Sequence, residues 1–343
     1  MKPINLFDYE ILARKSLEPA IWDYYDGGSD DEITLRANRL SFERIRLRPR
    51  VLRDVSHIDL STTIQGMSVR MPILIAPMAY QGLAHPEGEC ITAQAAHNAG
   101  TLMIASTFST CSLEEIIGVA SEAWMQLYFY RDMEVTESLV QRAEKAGYRA
   151  LVLTVDTPYL GRRERDMRNQ FTLPPSHRIG NFAASDVAGD YIPSPAVVTW
   201  EKLRWLRSIT SLPILLKGIV TAKDALLALE YGVNGIIVSN HGGRQLDGTV
   251  ASIDALPEVA HAVVGRCEVY IDGGIRRGTD ILKALALGAH AVLVGRPILW
   301  GLAVNGLEGV QHILDILYDE LTLAMALAGC PTLNSIDRSL IFQ

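Results

Sequence analysis

The chain has 343 residues, room for about two average domains or for one α/β barrel with additions. Hydrophobic residues make up 48% and charged residues 21%, which excludes a disordered chain, a collagen and a disulfide-rich miniprotein. Lys and Arg number 32 against 39 Asp and Glu, a net charge of −7; this argues against a general nucleic-acid binder and leaves room for a local basic pocket for a small anion.

The first 70 residues differ from the rest. Helical spacing over Phe7–Leu17 and Ala20–Tyr25 is broken by Gly27-Gly28-Ser29, and a third helix with an acidic first turn is expected over Asp30–Phe42. Ile45–Leu52 alternates apolar and basic residues as a half-exposed strand would. Thr62–Val69 alternates about Gln65-Gly66, a hairpin turn. Nothing linker-like follows, so residues 1–70 are expected to cap a single domain spanning 1–343.

From residue 73 a rhythm sets in. Short apolar runs occur at Ile73–Ala76, Leu102–Ala105, Met125–Tyr128, Ala150–Val155, Ile214–Lys217, Gly235–Ser239, Val269–Asp272 and Ala291–Val294. Helical patterns lie between them, several closed by glycine at Gly100, Gly147, Gly232 and Gly288, the usual helix C-cap residue. Continuous apolar strands imply a parallel sheet covered on both faces. Eight such units predict a (β/α)8 TIM barrel over residues 71–330 rather than an open sheet. The fourth and fifth runs are 64 residues apart, start to start, and the excess, 161–198, is rich in Arg, Pro and Ser. A long loop at that place is expected to be an active-site loop or lid.

Cys90, Cys111, Cys267 and Cys330 form no CxxC pair and no zinc spacing with histidine, so they are expected to be packing thiols in a reducing compartment, with no metal site. No apolar run reaches the length of a membrane span. The N-terminus lacks a signal-peptide pattern and the C-terminus lacks Ser-Lys-Leu, which makes a cytoplasmic protein without membrane contact the expectation.

Barrel active sites lie at the C-terminal strand ends, and here those ends are polar. In order they carry Ala76-Pro77-Met78-Ala79, Ser106, Gln126 with Tyr128, Thr154 with Asp156, Lys217, Ser239 with His241 and Arg244, Asp272-Gly273-Gly274, and Gly295-Arg296. The turn Asp272–Gly278 enters a helix, and with Gly295-Arg296 on the adjacent final strand it suits a phosphate, met by backbone N–H groups, a helix N-terminus and arginine. Lys217 has three readings: a solvent lysine, a Schiff-base nucleophile, or a fixed cation that stabilises negative charge on a cofactor ring or enolate. The polar neighbours favour the third. His241 is placed for proton transfer, with Asp156 to orient it. Arg163 and Arg244 could clamp a carboxylate, whereas Arg162 and Arg165 read as a solvated loop. Tyr24 and Tyr128 could add hydroxyls, although a helical tyrosine such as Tyr24 is equally a packing residue.

Taken together these blocks resemble the FMN-dependent α-hydroxy-acid oxidase family over nearly the whole chain. Ser239-Asn240-His241-Gly242-Gly243-Arg244-Gln245-Leu246-Asp247 resembles its active-site signature, and Leu153–Pro158, Ala84–Glu89 and Asp272–Gly278 resemble further family blocks. The resemblance implies bound FMN and a role for each residue. His241 takes a proton from the substrate, assisted by Asp156. Arg163, Arg244 and Tyr24 bind the carboxylate, with Tyr128 near the hydroxyl. Lys217 stands beside the flavin ring. Ala76, Pro77, Met78 and Ala79, with Ser106, Gln126, Thr154 and Ser239, hold that ring, and Asp272, Gly273, Gly274, Arg276, Gly295 and Arg296 hold ribityl and phosphate. Met78 and Phe108 replace the Thr and Trp of plant glycolate oxidases and line the side-chain pocket. Met78 and Trp300–Val304 are similar to cyanobacterial-type lactate oxidases.

The resemblance implies oxidation of an (S)-2-hydroxy acid to a 2-oxo acid, with L-lactate as first substrate, O2 as acceptor, H2O2 as product and a homotetrameric assembly. The alternatives are a glycolate- or mandelate-type oxidase, the same chemistry with a quinone acceptor, a Schiff-base aldolase and a non-catalytic flavin-binding scaffold.

Overall fold

The computed structural model describes residues 2–182 and 198–342. The chain opens with helices α1 (Leu6–Ser16), α2 (Pro19–Asp26) and α3 (Ile33–Arg44). The first is capped by the Asn5 side chain, which accepts from the Asp8 N–H. The third begins later than its spacing predicts because Asp30 and Glu32 take left-handed φ of +46° and +58°. Its first N–H groups, on Ile33 and Thr34, have no partner within the helix and are capped by the carboxylate of distant Asp247.

The expected strand at 45–52 is cut to two residues. Strand β1 (Arg46–Leu47) pairs antiparallel with β12 (Ile341–Phe342) at the other end of the chain. Beyond it the backbone is held by single bonds to the C-terminal region, Arg48 N–H to Leu340 O and Arg50 N–H to Ala328 O. The alternation therefore reflects an extended segment lying on a helix end. The hairpin forms as expected, β2 (Thr62–Ile64) against β3 (Met67–Val69).

The barrel comprises β4 (Ile73–Ile75), β5 (Met103–Ala105), β6 (Ala123–Leu127), β7 (Leu151–Thr154), β8 (Ile214–Ile219), β9 (Gly235–Val238), β10 (Glu268–Ile271) and β11 (Ala291–Val294). All neighbours are parallel, and Val294 opposite Ile75 closes the ring. The third strand starts two residues before its predicted run. The helices between strands are α4 (Gly88–Asn98), α5 (Leu113–Ala120), α6 (Met133–Ala146), α7 (Glu164–Arg168), α8 (Trp200–Ile209), α9 (Ala222–Glu230), α10 (Ser252–Val263) and α11 (Gly278–Ala286), followed by the long α12 (Arg296–Ala328), which breaks at Asn305-Gly306. Among the described residues the loop after β7 holds one element, α7; its portion 183–197 lies outside them. Among those described, no helix is long and apolar enough to cross a membrane.

Side chains alternate along each strand. Ile73, Ile75, Met103 and Ala105 face the helices. Leu74, Ile104, Trp124, Val152, Leu215, Ile237, Tyr270 and Leu293 fill the inside, closed from below by Ile64, Met67 and Val69 of the hairpin. Two residues further along each strand, the inward face carries Ala76, Ser106, Gln126, Thr154, Lys217, Ser239, Asp272 and Gly295. The apolar layer thus becomes the floor of a polar one.

Candidate active site

Above that floor lies a cavity of about 600 Å3. Of the residues singled out from sequence, all but Asp156 and Ser239 line it. Those two stand directly behind the wall. Asp156 Oδ1 is 2.9 Å from His241 Nδ1, which leaves Nε2 to the cavity. Ser239 is fully buried; its Oγ accepts from Lys217 Nζ at 2.8 Å and from the His241 N–H at 3.0 Å. It supports the wall rather than forming it. His241 itself sits at a left-handed φ of +58°, followed by Gly242 at +64°, so the chain turns sharply and aims the imidazole inward.

Lys217 and Asp272 form a buried ion pair at 3.0 Å. Burial opposes the ammonium charge, but Asp272 and Asp156 outweigh it and hold Lys217 above its ordinary pKa. Lys217 is buried and so is not a solvent lysine, and a Schiff-base lysine needs the opposite shift; the ion pair favours the fixed-cation reading. Burial also opposes the charge on Asp156, yet His241 and Lys217 keep its carboxyl below the usual range. Burial pushes His241 below its ordinary value; Lys217 and Arg163 add to this and Asp156 partly offsets it.

The guanidiniums are crowded. Arg244 donates to Tyr24 O and Gly27 O, lies over the Tyr24 ring, and is pushed down to about 9 by burial and by Arg163. Arg276 lies over Trp300 and is pushed down to about 10 by burial and by Arg296. Arg163 Nε and the second oxygens of Asp156 and Asp272 are buried with no partner among the described residues. Buried positive charge of this density is compensated by anions, and a carboxylate on one side and a phosphate on the other meet that need. The cavity, its polar floor and its cations therefore fit FMN and a 2-hydroxy acid together.

Two expectations are corrected here. The N–H groups at the start of α11 are already satisfied, those of Arg276 and Arg277 by Asp280 and that of Gly278 by Glu320. The helix N-terminus open to the phosphate corner is that of α12, which begins at Arg296 directly after Gly295. Arg165 is not a solvated loop residue: it bridges Asp23, Asp26 and Glu32 and ties α7 to the N-terminal helices. Arg162 is exposed, as expected.

The roof was missed from sequence. Phe171 stacks on Tyr24 at 4.5 Å and 13°, and Leu173, Ile179 and Asp166 join it around the cavity. These residues lie in the long loop, where no periodicity marks an inward face. Tyr80, two residues past Met78, was within reach by reading the first strand end further.

The FMN-dependent dehydrogenase family profile matches residues 13–343. The chain is 54% identical to L-lactate oxidase of Nostoc sp., over 99% of this chain and 98% of that one. It is 50% identical to 2-hydroxyacid oxidase 1 of Homo sapiens (98% and 96% covered) and to glycolate oxidase 3 of Arabidopsis thaliana (99% and 96%). A crystal structure of mandelate oxidase superposes with a TM-score of 0.93 at 47% identity, covering 98% of this chain and 97% of that one. The chain belongs to the FMN-dependent dehydrogenase family, and it catalyses FMN-dependent oxidation of 2-hydroxy acids.

Proposed function

We propose that the preferred substrate is L-lactate and the electron acceptor O2, so that the overall reaction converts lactate and O2 to pyruvate and H2O2. The observation that carries the site reading is the His241–Asp156 pair at 2.9 Å, facing one cavity that also holds Arg163 and Arg244. The carboxylate lies against these two guanidiniums and the Tyr24 hydroxyl. Tyr128 receives the α-hydroxyl, and His241 Nε2 takes the proton that the substrate loses. Asp156 then stabilises the imidazolium formed. FMN, when bound, supplies the two-electron acceptor that no side chain provides. Ala76, Pro77, Met78 and Ala79, with Ser106, Gln126, Thr154 and Lys217, hold its ring system, and Gly273, Gly274, Arg276, Gly295 and Arg296 hold its ribityl phosphate end.

L-lactate over glycolate is supported by the apolar wall of Met78 and Phe108 and by the similarity to an L-lactate oxidase. The test is the visible spectrum of the holoenzyme on anaerobic addition of L-lactate, glycolate or mandelate, followed by air. Bleaching fastest with L-lactate and recovery with peroxide are expected. Faster bleaching by another acid overturns the substrate, and failure to recover in air overturns the acceptor in favour of a dehydrogenase.

A further inference from the structure

Tyr80 holds an unusual backbone position for a large aromatic residue. Its φ is +57°, a left-handed conformation that is strained for a non-glycine residue. Both sides of the residue are pinned: its N–H donates to Phe108 O at 3.0 Å, and its carbonyl accepts from the Tyr25 hydroxyl at 2.6 Å. The constraint sets the ring in the cavity wall, 5.9 Å from the Tyr24 ring and 6.1 Å from the Phe108 ring.

Phenylalanine would make the same ring contacts. The hydroxyl is the difference, and among the described residues it has no hydrogen-bond partner. Burial raises its pKa and Arg163 only partly offsets this, so it stays a neutral donor. Tyr80 is part-buried in the cavity wall, so its hydroxyl is a donor free to bond an acceptor bound there. On the reading above, the carboxylate is matched by Arg163, Arg244 and Tyr24, and the α-hydroxyl by Tyr128 and His241. Tyr80 lies beside Phe108, on the wall that faces C3 of the substrate.

We propose that Tyr80 is a specificity-determining residue whose hydroxyl hydrogen-bonds a polar group on C3, so that the enzyme also accepts 2,3-dihydroxy acids. The inference rests on the substrate orientation given under the proposed function. The left-handed backbone, the two pinning bonds and the neighbouring rings of Tyr24 and Phe108 keep the hydroxyl at that spot.

The test compares wild-type holoenzyme with Tyr80→Phe on L-lactate and L-glycerate. Two readouts are taken: kcat/KM from anaerobic flavin bleaching, and calorimetric Kd for the products pyruvate and hydroxypyruvate. Wild type is expected to oxidise both acids. In Tyr80→Phe the glycerate-to-lactate ratio of kcat/KM falls about three- to tenfold, the worth of one neutral hydrogen bond, and the preference for hydroxypyruvate falls in step. A ratio unmoved in either measurement overturns the role of Tyr80, as does wild-type enzyme that oxidises lactate but not glycerate. Bleaching by neither acid overturns the substrate reading itself, and the inference with it.

Discussion

His241 can act as a base only while its imidazole stays neutral, and its surroundings arrange this. Burial, Lys217 and Arg163 all press its pKa below the ordinary 6.5, and Asp156 opposes them. The free-enzyme kcat/KM for L-lactate is therefore expected to fall on the acid side through a pKa lower than 6.5, as protonation removes the base. In Asp156→Asn the opposing charge is gone, so the acid limb moves to still lower pH while kcat drops, because the imidazolium loses its partner. An acid limb that moves upward counts against this arrangement. His241→Ala is expected to keep bound flavin and lose about a hundred- to ten-thousandfold in rate. Near-normal turnover would remove His241 from the chemistry. Phe108, in contact with Tyr128 and Tyr80, sets room rather than protonation. Phe108→Trp fills the wall and is expected to shift the glycolate-to-lactate ratio of kcat/KM toward glycolate by about tenfold, the scale of one methylene-sized contact. An unmoved ratio shows that the ring does not meet the substrate.

The strands, more than any single residue, place these groups. Because inward side chains recur every second residue, the run that reads apolar at Leu215 presents Lys217 one step up, and the same holds from Trp124 to Gln126 and from Tyr270 to Asp272. That is why eight strand ends were legible in the sequence. The bulge between Lys217 and Ile219 was not legible, since it depends on a neighbour. There Gly218 has φ +113°, and a Cβ would lie 2.6 Å from Asp156 Cβ and 2.9 Å from Asp156 N. Only glycine lets β8 pass so close to the end of β7. Gly218→Ala is expected to cost about 2–5 kcal/mol from backbone strain and overpacking together, and to push Asp156 off His241. Thermal melting and turnover should therefore fall together; a variant with wild-type melting and rate would show that the two strand ends are not coupled in this way. The roof was hidden for a related reason. Phe171 is placed by stacking on Tyr24, and the loop at Ile179 by the bond from the adjacent Gly180 N–H to Ser109 O, contacts between distant segments that no local pattern announces.

Across the whole molecule, the N-terminal helices and the barrel make one site. Arg296 donates to Tyr25 O, Gly27 O and Gly242 O, Arg244 to Tyr24 O and Gly27 O, and Asp247 caps α3. The guanidiniums that would meet a phosphate and a carboxylate are thus the same ones that hold the N-terminal segment against the barrel mouth. In sequence the N-terminal partners lie more than 200 residues from these groups, so the pairing could not be read there, although each arginine could. Burial lowers both Arg276 and Arg296, Arg296 lowers Arg276 further, and for Arg296 the lowering by burial, Arg163 and Arg165 outweighs Asp26 and Glu32, so the cluster can take a further anion. A ligand that supplies the missing anion should stabilise the whole fold by mass action. FMN added to apoprotein at a hundredfold excess over its Kd contributes about 2.7 kcal/mol, which for a chain of this length raises Tm by about 4 °C. Riboflavin carries the same ring system without the phosphate and leaves Arg276, Arg296 and the start of α12 without that anion. At equal concentration its shift is expected to be smaller, and added inorganic phosphate should restore part of the difference. Equal shifts for FMN and riboflavin would mean that the corner between β10 and β11 does not bind the phosphate. A smaller shift for riboflavin that disappears in Arg276→Ala would tie the stabilisation to that guanidinium.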